Sequence, residues 1–232
     1  MDKKLKEIWL DSHGFNVIDL YPYELIYGLI YKNLLNEMCG FKFSGYEYIY
    51  IDIGALNFLP QSNIFTDFST RIAVEFDIHR YKQADEVSKE QMVIGLYLDG
   101  LTKIGLRDGI DCSAINKVTE IAKQYRTKTL LNIKNIDTKK YSLKISIPAI
   151  SWIQPEPVYL SFYQKSLGRG KSICIGTANM IQASVWLHKI TVSSKTIRIK
   201  SSSAVRFVEL LKNHPSNIEY NIVDLLQEKI IE

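Results

Sequence analysis

Cysteine is scarce in this 232-residue chain: three residues, Cys39, Cys112 and Cys174, too widely spread for a disulfide framework. That scarcity favours a reducing compartment, and the cytoplasm is the expected location. Histidine is also sparse, with four scattered residues and no Cys/His cluster at metal-ligand spacing, so neither structural zinc nor another cofactor is expected. No apolar run is long enough to cross a bilayer. The opening MDKKLKEIWLDSHG has basic residues but no apolar core leading to a small-residue cleavage site, so no secretory signal is expected. A G-x-S-x-G nucleophile elbow is absent too.

A phosphate-binding loop is missing as well, although SLGRGKSICIG at 166–176 imitates the end of one with Gly170, Lys171 and Ser172. The first glycine of such a loop would have to stand where Lys165 stands. A helix should begin directly after the loop, its N-terminus receiving the phosphate. The residues after Lys171 are instead alternating and β-branched, as strands are. The stretch reads as a hairpin turn in which Gly168 and Gly170 supply positive φ.

The chain does have an ordinary globular composition, 46% apolar and 23% charged, and enough length to bury a full core. The net charge of +4 is unevenly distributed. Residues 1–126 hold 14 basic and 18 acidic side chains, and residues 127–232 hold 15 and 7. Such asymmetry can steer an anionic partner. It can equally keep a strand-rich surface soluble and guard its edges.

Helix signals dominate the first forty residues, with Leu25, Ile26, Leu29, Ile30 and Leu34 on one stripe, Pro22 near the start and Gly40 past the end. Two half-buried strands come after them, with Ile49, Ile51 and Ile53 alternating in one, and Ile72, Val74, Phe76 and Ile78 in the other. That one-sided pattern is the antiparallel habit. A helix pair comes next: Ser88 with Gln91 fits a capping box, Gly109 suits a stop, and Asp111 or Ser113 caps the second helix. Strands are expected at about 129–136, 140–147, 156–164, 171–177, 183–192 and 195–201, then helices in SAVRFVELLK and NIEYNIVDLLQEKIIE. The expected fold is a single α+β domain over 1–232, largely antiparallel, with a central helix pair and flanking terminal helices. Its subdivision would be a helix-rich acidic 1–126 and a strand-rich basic 127–232.

Tyr48, Tyr50 and Asp52 share one strand face, and Glu75, Asp77 and His79 another, because residues two apart in a strand project together. Asp52 joining the second set would give a carboxylate and histidine cluster of the kind that holds Mg²⁺ in hydrolytic sites. The same pattern is the polar face of any amphipathic strand. Arg169, Lys171, Arg198 and Lys200 can line a groove for phosphates, the basis of a nucleic-acid-binding or metal-dependent nuclease-like alternative. Cys112 at a helix start is read as inert, since the carboxylate of Asp111 beside it opposes ionisation.

The run HRYKQADEVSKEQMVIGLYLDGLTKIGLRDGIDCSAINKVTEIAKQYRTKTLLNIKN, with KKYSLKISIPA and PVYLSFYQK after it, resembles the helix-pair-then-strands layout of some small bacterial immunity proteins. The resemblance covers about residues 79–165 and is one of layout. It implies a non-enzymatic protein, without catalytic residues, that neutralises a cognate protein toxin by occluding its active site or another essential surface. Inhibitors of nucleases are often acidic, whereas this chain is basic. Either the toxin is not a basic nuclease, or the acidic half makes the contact, through residues such as Asp85, Glu86, Glu90, Asp99, Asp108 and Asp111. The expected partner-binding set is Tyr48, Tyr50, Asp52, Glu75, Asp77, Asp108 and Asp111.

Overall fold

The computed structural model describes residues 4–38, 43, 45–55, 68–204 and 210–227. The chain divides into two compact units, 1–131 and 132–232. By sequence the first carries 15 basic and 18 acidic residues, a net −3, and the second 14 and 7, a net +7.

In the first unit, β1 (Glu7–His13) leads to α1 (Tyr23–Glu37), β2 (Tyr48–Gly54) and β3 (Ser69–Glu75). Three helices come next: α2 (Ile78–Gln83), α3 (Glu86–Asp108) and α4 (Ser113–Tyr125). The strands lie in the order β1-β2-β3 and are all parallel, in a register running from Glu7, Tyr48 and Ser69 to His13, Gly54 and Glu75. Two sequence expectations fail here. The opening residues are not helical, because Ile8 and Leu10 alternate with Trp9 and Asp11 and make a strand. The early strands are not antiparallel either. Alternation reports that one face is buried and says nothing of direction, and α1 between β1 and β2 is the crossover that parallel pairing needs.

Ile8, Leu10, Ile49, Ile51, Ile53 and Val74 are buried on the face that receives α1 and α3. The helices lie close against it. A Cβ added to Gly100 of α3 would come within 2.7 Å of Ile51 Cδ1, and one added to Gly28 of α1 within 2.8 Å of the Ile8 carbonyl. The deepest residues of α1 are Ile26, Tyr27, Ile30 and Tyr31, whereas Leu25, Leu29 and Leu34 are half-buried. Tyr31 stacks on Tyr97 with centroids 5.3 Å apart and shares a 2.8 Å hydrogen bond with Thr119 of α4. Burial raises the hydroxyl pKa of both tyrosines.

Helix α3 is capped by Asp85, whose Oδ1 accepts from Ser88 N at 2.7 Å, and not by a Ser88–Gln91 box. That backbone donor holds the Asp85 carboxyl below its usual pKa. Gly109 ends the helix at φ 67°, as its position in the sequence suggests. Asp111 accepts from the Ser113 backbone and hydroxyl at the start of α4.

The strand pairings of the second unit are antiparallel among the described residues. Strands β4 (Leu130–Asp137), β5 (Tyr141–Pro148), β6 (Glu156–Gln164) and β7 (Arg169–Ala178) form one sheet in chain order. After α5 (Met180–Trp186), β8 (Lys189–Val192), β9 (Thr196–Lys200) and β10 (Asn217–Asn221) form a second, and α6 (Ile222–Gln227) comes last. Leu143, Ile145, Leu160, Phe162, Trp186 and Ile199 belong to its core. The chain is thus a mixed helix-and-strand protein containing antiparallel sheets, with a parallel sheet added that the sequence did not announce.

Smaller corrections have local causes. The strand expected at 183–192 begins as α5, because Asn179 and Gln182 form a reciprocal capping box. The expected final helix starts as β10, paired with β9. Within SAVRFVELLK, residues 205–209 lie outside the described residues, and 210–212 form turns. Gly168 has φ 61° in the β6–β7 hairpin, but Gly170 is not among the positive-φ glycines and is needed for another reason: an added Cβ would lie 2.8 Å from the Phe162 carbonyl. Among the described residues no helix is long and apolar enough to cross a membrane.

The close seating of α3 makes Gly100 a packing requirement. Gly100→Ala is expected to lower stability by about 1–3 kcal/mol through overpacking against Ile51, read as a reduced urea midpoint for the first unit.

Candidate functional site on the outer face of the parallel sheet

Side chains alternate across a strand, so the residues between the buried isoleucines form the opposite face. β1 contributes Trp9, Asp11 and His13, β2 contributes Tyr48, Tyr50 and Asp52, and β3 contributes Arg71 and Glu75. The register sets Trp9, Tyr50 and Arg71 in one row across the sheet, and Asp11 beside Asp52 in another. Trp9 is 46% exposed.

At the centre of this face Asp52 is only 1% exposed. A buried carboxylate needs cations or donors around it, and Asp52 has both. Arg71 Nη1 lies 2.6 Å from Asp52 Oδ1 and 3.1 Å from Asp11 Oδ2. His13 Nε2 lies 3.0 Å from the same Asp52 oxygen. The Arg71 guanidinium also sits 4.7 Å above the Tyr50 ring, a cation–π distance. Beside Tyr48, Lys6 pairs with Glu47 and lies 5.6 Å from the Tyr48 ring centre.

One ligand atom each from Asp11, His13 and Asp52 lie within 4.8 Å of one another, a spacing that suits a divalent ion. Arg71 already bonds both carboxylates and supplies the positive charge at that place. The arrangement as folded is a closed ion-pair network.

Where β1 and β3 end, a hollow of about 510 Å³ is lined by His13, Phe15, Glu75, Phe76, Asp77 and His79, among others. Glu75, Asp77 and His79 do meet here, but not as one strand face. β3 stops at Glu75, Asp77 is the N-cap of α2, and His79 is in that helix. Asp77 Oδ1 accepts from the backbone N–H groups of His79 and Arg80 at 3.0 and 3.1 Å.

The remaining expected residues lie elsewhere. Asp108 pairs with Arg107 at 2.6 Å, and Arg107 reaches Thr70 near the start of β3, the end of the sheet opposite Glu75. Asp111 is occupied as the start of α4. The seven residues of the expected partner-binding set therefore form no single patch. Nor do the four cations of the phosphate-groove reading: Arg169 and Lys171 are on β7, while Arg198 and Lys200 are on β9 of the other sheet. Lys171 pairs in register with the core residue Phe162, and Arg198 makes a two-pronged ion pair with Glu219, whose carboxylate raises its pKa. Trp186 and Phe162 are buried and present no stacking surface for bases.

Trp9, Asp11, His13 and Arg71 are absent from the expected partner-binding set. The signal is in the sequence, since EIWLDSH alternates as cleanly as YEYIYIDIG, but the stronger helix signals of 22–40 stand directly after it.

Asp52→Asn removes the charge that Arg71 and His13 face while keeping the volume. It is expected to destabilise the first unit by about 1–3 kcal/mol, because Arg71 and His13 lose the buried charged acceptor on which they converge and Arg71 keeps only the more exposed Asp11. Arg71→Leu in the same background should recover part of that loss in a double-mutant cycle monitored by urea unfolding.

Comparison with protein-family models, with curated proteins and with solved structures finds no match to this chain.

Proposed function

We propose that this chain is a non-enzymatic binding protein of the bacterial immunity or inhibitor type, acting in the cytoplasm on a cognate protein toxin through its first unit. The observation that carries this reading is the outer sheet face, where Trp9, Tyr50 and Arg71 stand in one row. Tryptophan, tyrosine and arginine are the residues most often found at the energetic centres of protein interfaces. The face is also held in advance. Arg71 is fixed by two aspartates and stacked on Tyr50, so little side-chain freedom is lost when a partner lands. The helix pair α3–α4 and the strands β4–β6 after it make up the stretch whose layout resembles small immunity proteins.

The inhibitory surface is then the acidic unit rather than the basic one, which removes the conflict raised by the overall charge of +4. A toxin whose active site or other essential surface is positively charged suits such a face.

The test is calorimetry between this chain and a toxin encoded by the neighbouring gene. A tight one-to-one complex is expected, and Trp9→Ala or Tyr50→Ala should each weaken it by about 30-fold, as hot-spot truncations do. Arg198→Ala, in the other unit, should leave the affinity unchanged. Absence of measurable binding to the neighbouring toxin, or full affinity in the Trp9 and Tyr50 variants, overturns the reading.

A further inference from the structure

The hollow at the carboxyl ends of β1 and β3 has a composition of its own. Its walls carry two carboxylates, Glu75 and Asp77, and two imidazoles, His13 and His79. Its apolar part includes Phe15 and Phe76, whose ring centres are 5.9 Å apart. Glu75 is exposed and pairs with no cation among the described residues. Asp77 uses Oδ1 for both cap bonds, which leaves Oδ2 without a partner among the described residues. The arginines of the adjoining strand and helix are directed elsewhere. Arg71 is held by Asp11 and Asp52, and Arg80 lines a separate hollow with Gln83, Ser88 and Gln91.

We propose that this hollow receives one arginine side chain of the protein partner. The inference rests on the reading of the first unit as the partner-binding unit, and it names the chemistry of the contact. A guanidinium is planar, so it can lie against an aromatic ring while its donors reach two carboxylates together. Neither Glu75 nor Asp77 has to give up a bond to accept it. His13, tied to Asp52 at 3.0 Å, forms the wall nearest the sheet and joins the hollow to the aromatic face. Glu75 stands four residues beyond Arg71 on the same face of β3, about 13 Å at the usual strand rise, a span that a partner resting on Trp9 and Tyr50 can cover.

The experiment is an NMR titration of the isotope-labelled full chain with N-acetyl-L-arginine amide, and in parallel with the uncharged N-acetyl-L-citrulline amide. The arginine compound should shift the side-chain resonances of His13, His79 and Phe76 and saturate with a Kd in about the millimolar range, while the citrulline compound leaves them still. Glu75→Gln and Asp77→Asn should each weaken the arginine compound by about fivefold, the effect of removing one partly exposed ion pair. Asparagine caps a helix as well as aspartate does, so Asp77→Asn tests charge and not folding. Equal shifts with both compounds, or no shift at these three residues, overturn the proposal. So does light scattering that reveals a dimer dispersed by Glu75→Gln, since a second copy of the chain would then fill the hollow. The titration requires no partner protein, so its failure removes the arginine contact and leaves the sheet face to be judged by calorimetry alone.

Discussion

A carboxylate with 1% exposure in the middle of a sheet face dictates what must surround it, and Asp52 is such a group. Without a cation its charge would be prohibitively costly to bury, so Arg71 and His13 converge on one oxygen. The consequences spread outward. Arg71, held in place, bridges to Asp11 and covers Tyr50. His13, held in place, lines the hollow at the strand ends. One buried acid thus fixes the side chains of three strands into a single surface.

Among the described residues that surface is the side of the parallel sheet away from α1 and α3. Parallel sheets are usually covered on both faces, and their strands then read as continuous apolar runs. Here β1 and β2 alternate instead, with isoleucine and leucine toward α1 and α3 and aromatic or charged residues away from them. Gly28 and Gly100 bring those helices close to the strands, so the packed side is tight. The opposite side carries polar side chains tied together by ion pairs, with Arg71 bound to Asp11 and Asp52.

Much of the residue-level burial was legible in the sequence. Ile49, Ile51, Ile53 and Val74 are inward as alternation indicates, and β6 runs over the expected residues. The prominence of Tyr48, Tyr50 and Asp52 was legible too, although their partners were not. Arg71 and Asp11 lie 60 residues apart, and His13 and Asp52 lie 39 apart, so no local pattern couples them. Glu75, Asp77 and His79 show how a correct grouping can have a wrong reason. Their spacing suggested one strand face, whereas a strand end, a helix cap and a helical turn bring them to one hollow. Asn179 and Gln182 show the opposite case, a capping signal present in the sequence that prevails over the strand-like alternation around it.

By itself the sequence determined which side chains avoid water, where α3 and α4 run, and that acids gather in one half and bases in the other. Those properties arise from local periodicity, capping and composition, which act over a few residues. Tertiary structure alone decided that β1, β2 and β3 run parallel and in which register. That decision depends on where α1 packs after it crosses over. With the register set, Asp11, His13, Asp52 and Arg71 became neighbours, because strand pairing places residues by alignment between segments and not by distance along the chain.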